Sequence, residues 1–234
     1  MMNRYQLARC IDHTVLKPEA TEQDIHALTA AAWQYRFAGV CVNSRWIQLV
    51  RNMLNAAAEK SGDAALVAAC AVVGFPFGAQ NSSVKAFETQ NAVKDGADEI
   101  DMVIWIPALL SGNLEAARDD VRAVVESAKA IREKTVVKVI LETAVLNESQ
   151  IAMGCLAASE GGADFVKTST GFHPAGGATV QAVKWLKQYS NGLRVKASGG
   201  IRALATAEAM LEAGADRLGC SASVAMIHEL PALA

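Results

Sequence analysis

The chain has almost no net charge: 22 lysines and arginines stand against 24 aspartates and glutamates, a formal −2 over 234 residues. A protein without an overall field of either sign has no general attraction for nucleic acid or an anionic membrane, so any phosphate-binding site has to be local. The expected ligand is small. The sequence also lacks a disulfide framework. Its five cysteines (Cys10, Cys41, Cys70, Cys155, Cys220) are odd in number and widely spaced, with no Cys-x-x-Cys pair, which fits reduced cytoplasmic thiols. The four histidines (His13, His26, His173, His228) show no metal-ligand spacing, so no metal is expected. There is no Gly-x-Ser-x-Gly elbow, no Walker loop and no hydrophobic signal region before Ile11. The longest apolar stretch, Ala64 to Phe75, is too short to span a bilayer as a helix.

What is present is an alternation. With 52% hydrophobic residues the chain can fill one large core, and a single domain over 1–234 is expected. Strand-like runs at 11–14, 39–43, 66–74, 99–104, 136–142, 165–168, 194–198 and 217–220 alternate with helix-like segments near 21–35, 44–60, 82–95, 113–133, 147–161, 178–190, 202–213 and 221–229. Eight such units predict an α/β fold, a (β/α)8 TIM barrel. The rival is an open doubly wound sheet, which usually carries a glycine-rich dinucleotide turn after its first strand; none is found here. Gly-Ala-Asp recurs at 96–98, 162–164 and 214–216, where glycine is expected to end a helix before the next strand.

In a barrel of this kind the chemistry collects at the C-terminal ends of the strands. Four charged residues fall inside or at the ends of apolar runs: Asp101, Lys138, Lys167 and Lys196. Burying a charge without a partner costs several kcal/mol, so each needs a reason. A structural set of buried ion pairs is one reason. The alternative is Schiff-base chemistry, in which a second ammonium nearby disfavours charging both lysines and leaves one as a free amine. Half-neutrality near pH 7 requires a fall of about three units from the usual lysine value, or about 4 kcal/mol. Gly199-Gly200 and Gly219-Cys220-Ser221 follow the seventh and eighth strands, where barrels commonly hold phosphate on backbone N–H groups, and Gly171 adds a further close approach.

Six runs carry a resemblance to a known family: Ile11 to Thr14 with Leu16-Lys17-Pro18, Gly74-Phe75-Pro76, Asp98 to Val103, Lys138 to Glu142, Lys167 to Phe172 and Lys196 to Arg202. Together they resemble deoxyribose-phosphate aldolase over nearly the whole chain. That resemblance implies reversible cleavage of 2-deoxy-D-ribose 5-phosphate to acetaldehyde and D-glyceraldehyde 3-phosphate, with no cofactor. It implies Lys167 as the Schiff-base lysine, Asp101 as proton relay and Lys196 as the neighbouring ammonium. Gly171, Ser198, Gly199, Gly200, Arg202, Gly219 and Ser221 would surround the phosphate. Lys138 is expected to give electrostatic support from inside the barrel, on one strand face with Ile140 and Glu142. Asp12 and Thr14, ending the first strand, are either substrate-side or capping residues.

Cys41, expected at the end of the second strand, matches a family cysteine near the active site and implies sensitivity to electrophilic aldehydes. One departure stands out: the family commonly has Gly-Thr-Ser-Ser-Gly after the eighth strand, where this chain has Gly219-Cys220-Ser221-Ala222-Ser223. The expected partners are small-molecule sugar phosphates and aldehydes, not nucleic acid or membrane, with a homo-oligomer such as a dimer as the assembly. Two rivals remain at this point: a Schiff-base barrel enzyme acting on a keto acid or ketose phosphate, and a sugar-phosphate sensor without turnover.

Overall fold

The computed structural model describes residues 2–62 and 67–231. Eight parallel strands pair in chain order and close on themselves: β1 (Ile11–Val15), β2 (Gly39–Asn43), β3 (Ala68–Val73), β4 (Glu99–Val103), β5 (Val136–Ile140), β6 (Phe165–Lys167), β7 (Arg194–Ser198) and β8 (Arg217–Cys220). The expected (β/α)8 barrel is what forms. Helices alternate with them: α1 (Arg4–Ala8) precedes β1, followed by α2 (Glu22–Tyr35), α3 (Ile47–Ser61), α4 (Ser82–Lys94), α5 (Ile106–Leu110), α6 (Leu114–Ile131), α7 (Glu148–Glu160), α8 (Val180–Tyr189), α9 (Leu204–Glu212) and α10 (Ser223–Glu229). Among the described residues no helix is long and apolar enough to cross a membrane.

Side chains alternate across each strand. The outward set (Val40 and Val42, Ala69 and Ala71, Ile100 and Met102, Val137 and Val139) joins the helices in one large apolar core. The inward set is split. Leu16, Cys41, Cys70 and Val72 form a small separate apolar cluster with Phe75 against it, while the inward residues of β4 to β8 are largely charged. Phe165 lies below that charged layer, with the Arg194 guanidinium 4.0 Å from its ring centre.

The Gly-Ala-Asp repeat does more than punctuate. Its glycines have φ of 106°, 84° and 110°, a left-handed conformation that suits glycine just past a helix end. Its aspartates then act as staples. Asp98, Asp164 and Asp216 accept the backbone N–H of Ala69, Val137 and Val195 at 2.8 to 2.9 Å, each tying the start of one strand to the start of its neighbour.

Several boundaries shift. Leu66, the expected start of the third strand, lies outside the described residues, as do Ala64 and Ala65. β1 continues through Val15, and Cys41 sits in the middle of β2 rather than at its end. β5 stops at Ile140, and Glu142, expected on the Lys138 face of that strand, instead adopts φ 60° beyond it. Two short helices, α1 and α5, were not expected. α5 begins around Pro107, whose fixed φ suits a first helical turn but whose ring reads in sequence as a break.

Candidate active site

The strand register brings the four charged residues together. Asp101 on β4 pairs in register with Lys138 on β5, and Lys167 on β6 with Lys196 on β7. All four point inward and meet at the Asp101 carboxylate. Its Oδ2 accepts from Lys167 and from Lys196, each at 2.7 Å, and its Oδ1 accepts from Lys138 at 2.8 Å and from the Cys70 thiol at 3.1 Å. Because Lys167 and Lys196 share one oxygen, their ammonium nitrogens cannot be farther apart than twice 2.7 Å. Burial alone would push the Asp101 carboxyl up, but Lys138, Lys167 and Lys196 outweigh it and hold it well below the usual carboxylate range.

Three further groups complete this layer. Lys196 also donates to Asp12, Arg217 reaches the other oxygen of Asp12 at 2.6 Å, and Glu99 lies 2.5 Å from Lys138 and 3.6 Å from Arg217. Among the described residues the interior therefore holds four cations (Lys138, Lys167, Lys196, Arg217) against three carboxylates (Asp12, Glu99, Asp101). The partners are unequally shared. Lys138 and Lys196 each contact two carboxylates, and that attraction outweighs burial to hold both ammoniums above the ordinary lysine value. Among the described residues Lys167 pairs with the Asp101 carboxylate alone.

Above this layer lies a cavity of about 270 Å³ at the C-terminal end of the barrel. Lys167 is the one interior lysine on its wall; Asp12, Asp101, Lys138, Lys196 and Cys41 lie beneath or beside it. Thr14, Gly171, Ser198, Gly199, Gly200, Arg202, Gly219 and Ser221 all line it, so the residues expected around a phosphate are brought to one cavity. Gly199 and Gly200 have φ of 92° and 81°, a bend that a side chain would strain. Among the described residues the backbone N–H groups of Gly171, Gly199, Gly200 and Ile201 have no acceptor within the protein, which leaves them open to an anion.

Two expectations are refined. The Ser198 hydroxyl is committed to the Ser169 carbonyl at 2.5 Å, so its contribution to the wall is its backbone. Ser223, the hydroxyl gained after β8, is fully buried and bonded to the Cys220 carbonyl and to His13 Nδ1, both at 3.0 Å. It does not replace the hydroxyls that Cys220 and Ala222 lack. His13 itself faces away from the cavity against Phe37, and burial pulls its pKa down to about 4.

Sequence reasoning missed Glu99, Arg217 and two wall residues, Lys17 and Thr170. Glu99 carried a signal, since it stands two residues before Asp101 and hence on the same strand face. Lys17 is exposed at the cavity and, like Arg202, makes no ion pair within 4.0 Å among the described residues. Thr170 is held by Glu142, which accepts its hydroxyl at 2.5 Å.

Known proteins resemble this chain over nearly its whole length. Residues 7–226 match the family model described as DeoC/LacD family aldolase. A protein named deoxyribose-phosphate aldolase from Streptococcus gordonii is 48% identical over 223 residues, 95% of this chain and 96% of that protein. Another of that name from Bdellovibrio bacteriovorus is 46% identical over 224 residues, 95% of this chain and 96% of its own. A deoxyribose phosphate aldolase from Aeropyrum pernix, whose structure is described as tetrameric, superposes with a TM-score of 0.86 and 34% identity over 97% of this chain and 92% of that one. With the barrel, the lysine cluster and these relatives in hand, the chain belongs to the DeoC/LacD family of aldolases.

Proposed function

We propose that this aldolase cleaves 2-deoxy-D-ribose 5-phosphate reversibly to acetaldehyde and D-glyceraldehyde 3-phosphate, through a Schiff base on Lys167. The observation that carries the reading is the position of Lys167: of three interior lysines it alone reaches the cavity wall, and it alone has a single, shared carboxylate partner. Its neutral amine attacks the aldehyde carbon of the open-chain sugar, and loss of water from the carbinolamine leaves an iminium. Asp101, held ionised, lies beside the new positive charge and relays protons to and from the forming carbinolamine. Lys196, doubly held by Asp12 and Asp101, stays charged and competes with Lys167 for Asp101.

Removal of the 3-hydroxyl proton breaks the bond between C2 and C3, with the electron pair passing into the iminium to give an enamine. Glyceraldehyde 3-phosphate leaves. Protonation of the enamine carbon and addition of water release acetaldehyde and restore the amine. Lysine supplies the electron sink, so the reaction as drawn uses no metal or organic cofactor. The phosphate would rest on the open amides of Gly171, Gly199, Gly200 and Ile201, with Arg202 and Lys17 as the charged groups at the rim. Lys138 supports Asp101 from below and takes no proton.

We extend the reading to a cytoplasmic enzyme, consistent with five free cysteines, and to a homo-oligomer. The test is a product assay with 2-deoxyribose 5-phosphate, a ketose phosphate and a 2-keto acid in parallel. Acetaldehyde and glyceraldehyde 3-phosphate in equal amounts from the first substrate alone are expected. Cleavage of either other substrate in preference, or binding without aldehyde release, would overturn the proposal.

A further inference from the structure

The loop from β6 to α8 lies against the turn after β7 with no side chain between them. A Cβ built on Gly177 would sit 2.3 Å from the Gly199 carbonyl oxygen and 2.8 Å from Gly199 Cα. Seen from the other side, a Cβ on Gly199 would meet Gly177 Cα at 2.9 Å and Gly171 Cα at 3.2 Å. The next residue fastens the contact. The Ala178 N–H donates to the carbonyls of Ser198 at 3.1 Å and Gly199 at 3.0 Å, drawing both oxygens toward the loop. The open N–H groups of Gly199, Gly200 and Ile201 belong to the same turn and border the cavity.

Gly177 itself is not on the cavity wall, and its φ is not in the left-handed range. Backbone freedom is therefore not why glycine stands there; closeness is. From this we infer that Gly177 is a positioning residue for recognition of the substrate's phosphate, setting where the Gly199 turn presents its amides. A side chain at 177 would force the two segments apart by about 1 Å to reach ordinary van der Waals contact. The Gly199 turn follows Ser198, whereas Lys167, Asp101 and Lys196 are anchored in the barrel below. The displacement should reach the phosphate and spare the reacting carbons. This inference rests on the phosphate reading above.

Gly177→Ala is compared with the unaltered enzyme on 2-deoxyribose 5-phosphate and on free 2-deoxyribose, with inorganic phosphate as inhibitor of the free-sugar reaction. KM for the phosphorylated sugar and the inhibition constant for phosphate should each rise roughly tenfold or more, as ångström misplacements do. Values of kcat, and kcat/KM for the free sugar, should stay within about threefold. Gly176→Ala is the control: position 176 has φ 124° but open space around its Cβ, so strain without collision should leave the ratio between the two sugars unchanged.

Should Gly177→Ala fail to melt cooperatively, Ala178→Pro, which deletes the N–H holding the Ser198 and Gly199 carbonyls, carries the same expectation. Equal losses on both sugars, or an unchanged ratio, would overturn the inference. An unaltered enzyme that itself shows no preference for the phosphorylated sugar would instead overturn the phosphate reading on which it rests.

Discussion

Among the described residues, two groups of buried ion pairs are built on opposite terms. Outside the barrel, Lys85 of α4 and Asp120 of α6 meet at 2.7 Å, both nearly inaccessible to solvent. Both partners have further hydrogen bonds: Lys85 also donates to the Val103 carbonyl, and Asp120 accepts from the Ser82 hydroxyl and the Trp105 amide. Inside the barrel, four cations share three carboxylates, and Lys167 has only part of one. The first group is closed, one cation to one carboxylate. The second is left with a surplus, and the surplus lies at the cavity wall. Burial of a lysine is thus a poor sign of chemistry by itself; the balance of its partners separates the two cases.

The sharpest way to separate them is to remove one lysine from each. Lys167→Ala should lower kcat/KM by at least about three orders of magnitude while leaving the melting temperature close to that of the unaltered protein, because it also removes the surplus charge. A variant that keeps most of its activity would break the comparison outright. Lys85→Met should do the reverse. Leaving Asp120 buried without its cation costs about 3 to 5 kcal/mol by urea unfolding, with kcat little altered.

A smaller effect tests how the surplus works. Lys196→Met removes the second cation from Asp101 Oδ2, so Asp101 holds the Lys167 ammonium more firmly; the rate should fall and the rising limb of the pH–rate profile should move to higher pH. An unmoved limb would confine Lys196 to packing. The smallest change expected is for Lys85→Met combined with Asp120→Leu. Replacing both partners of a closed pair by apolar groups should recover most of the stability lost in the single variant, to within about 1 kcal/mol. Failure to recover would mean that the hydrogen bonds to Ser82 and Trp105 matter more than the ion pair.

The barrel was legible in the sequence because its strands are buried on both faces and read as apolar runs, with glycine marking where helices stop. β2, β7 and β8 fall at the expected residues. The charged cluster was legible for a related reason: Asp101, Lys138, Lys167 and Lys196 interrupt apolar runs, where a buried charge needs a partner or a use. Glu99 and Arg217 were not read, since each directly follows a Gly-Ala-Asp and a charge there looks like the exposed start of a strand. Lys85 was equally hidden. Its helix carries no strong apolar stripe, and its partner lies 35 residues away on another helix. The contact between Gly177 and Gly199 could not be seen at all, because glycines in loops are ordinary until a second backbone is known to touch them.

Borohydride trapping shows directly whether Lys167 is the nucleophile. The enzyme is mixed with 2-deoxyribose 5-phosphate, reduced, digested and mapped by peptide mass spectrometry. A single reduced adduct on Lys167 is expected. An adduct on Lys138 or Lys196, or no adduct in a sample that turns over substrate, would contradict it.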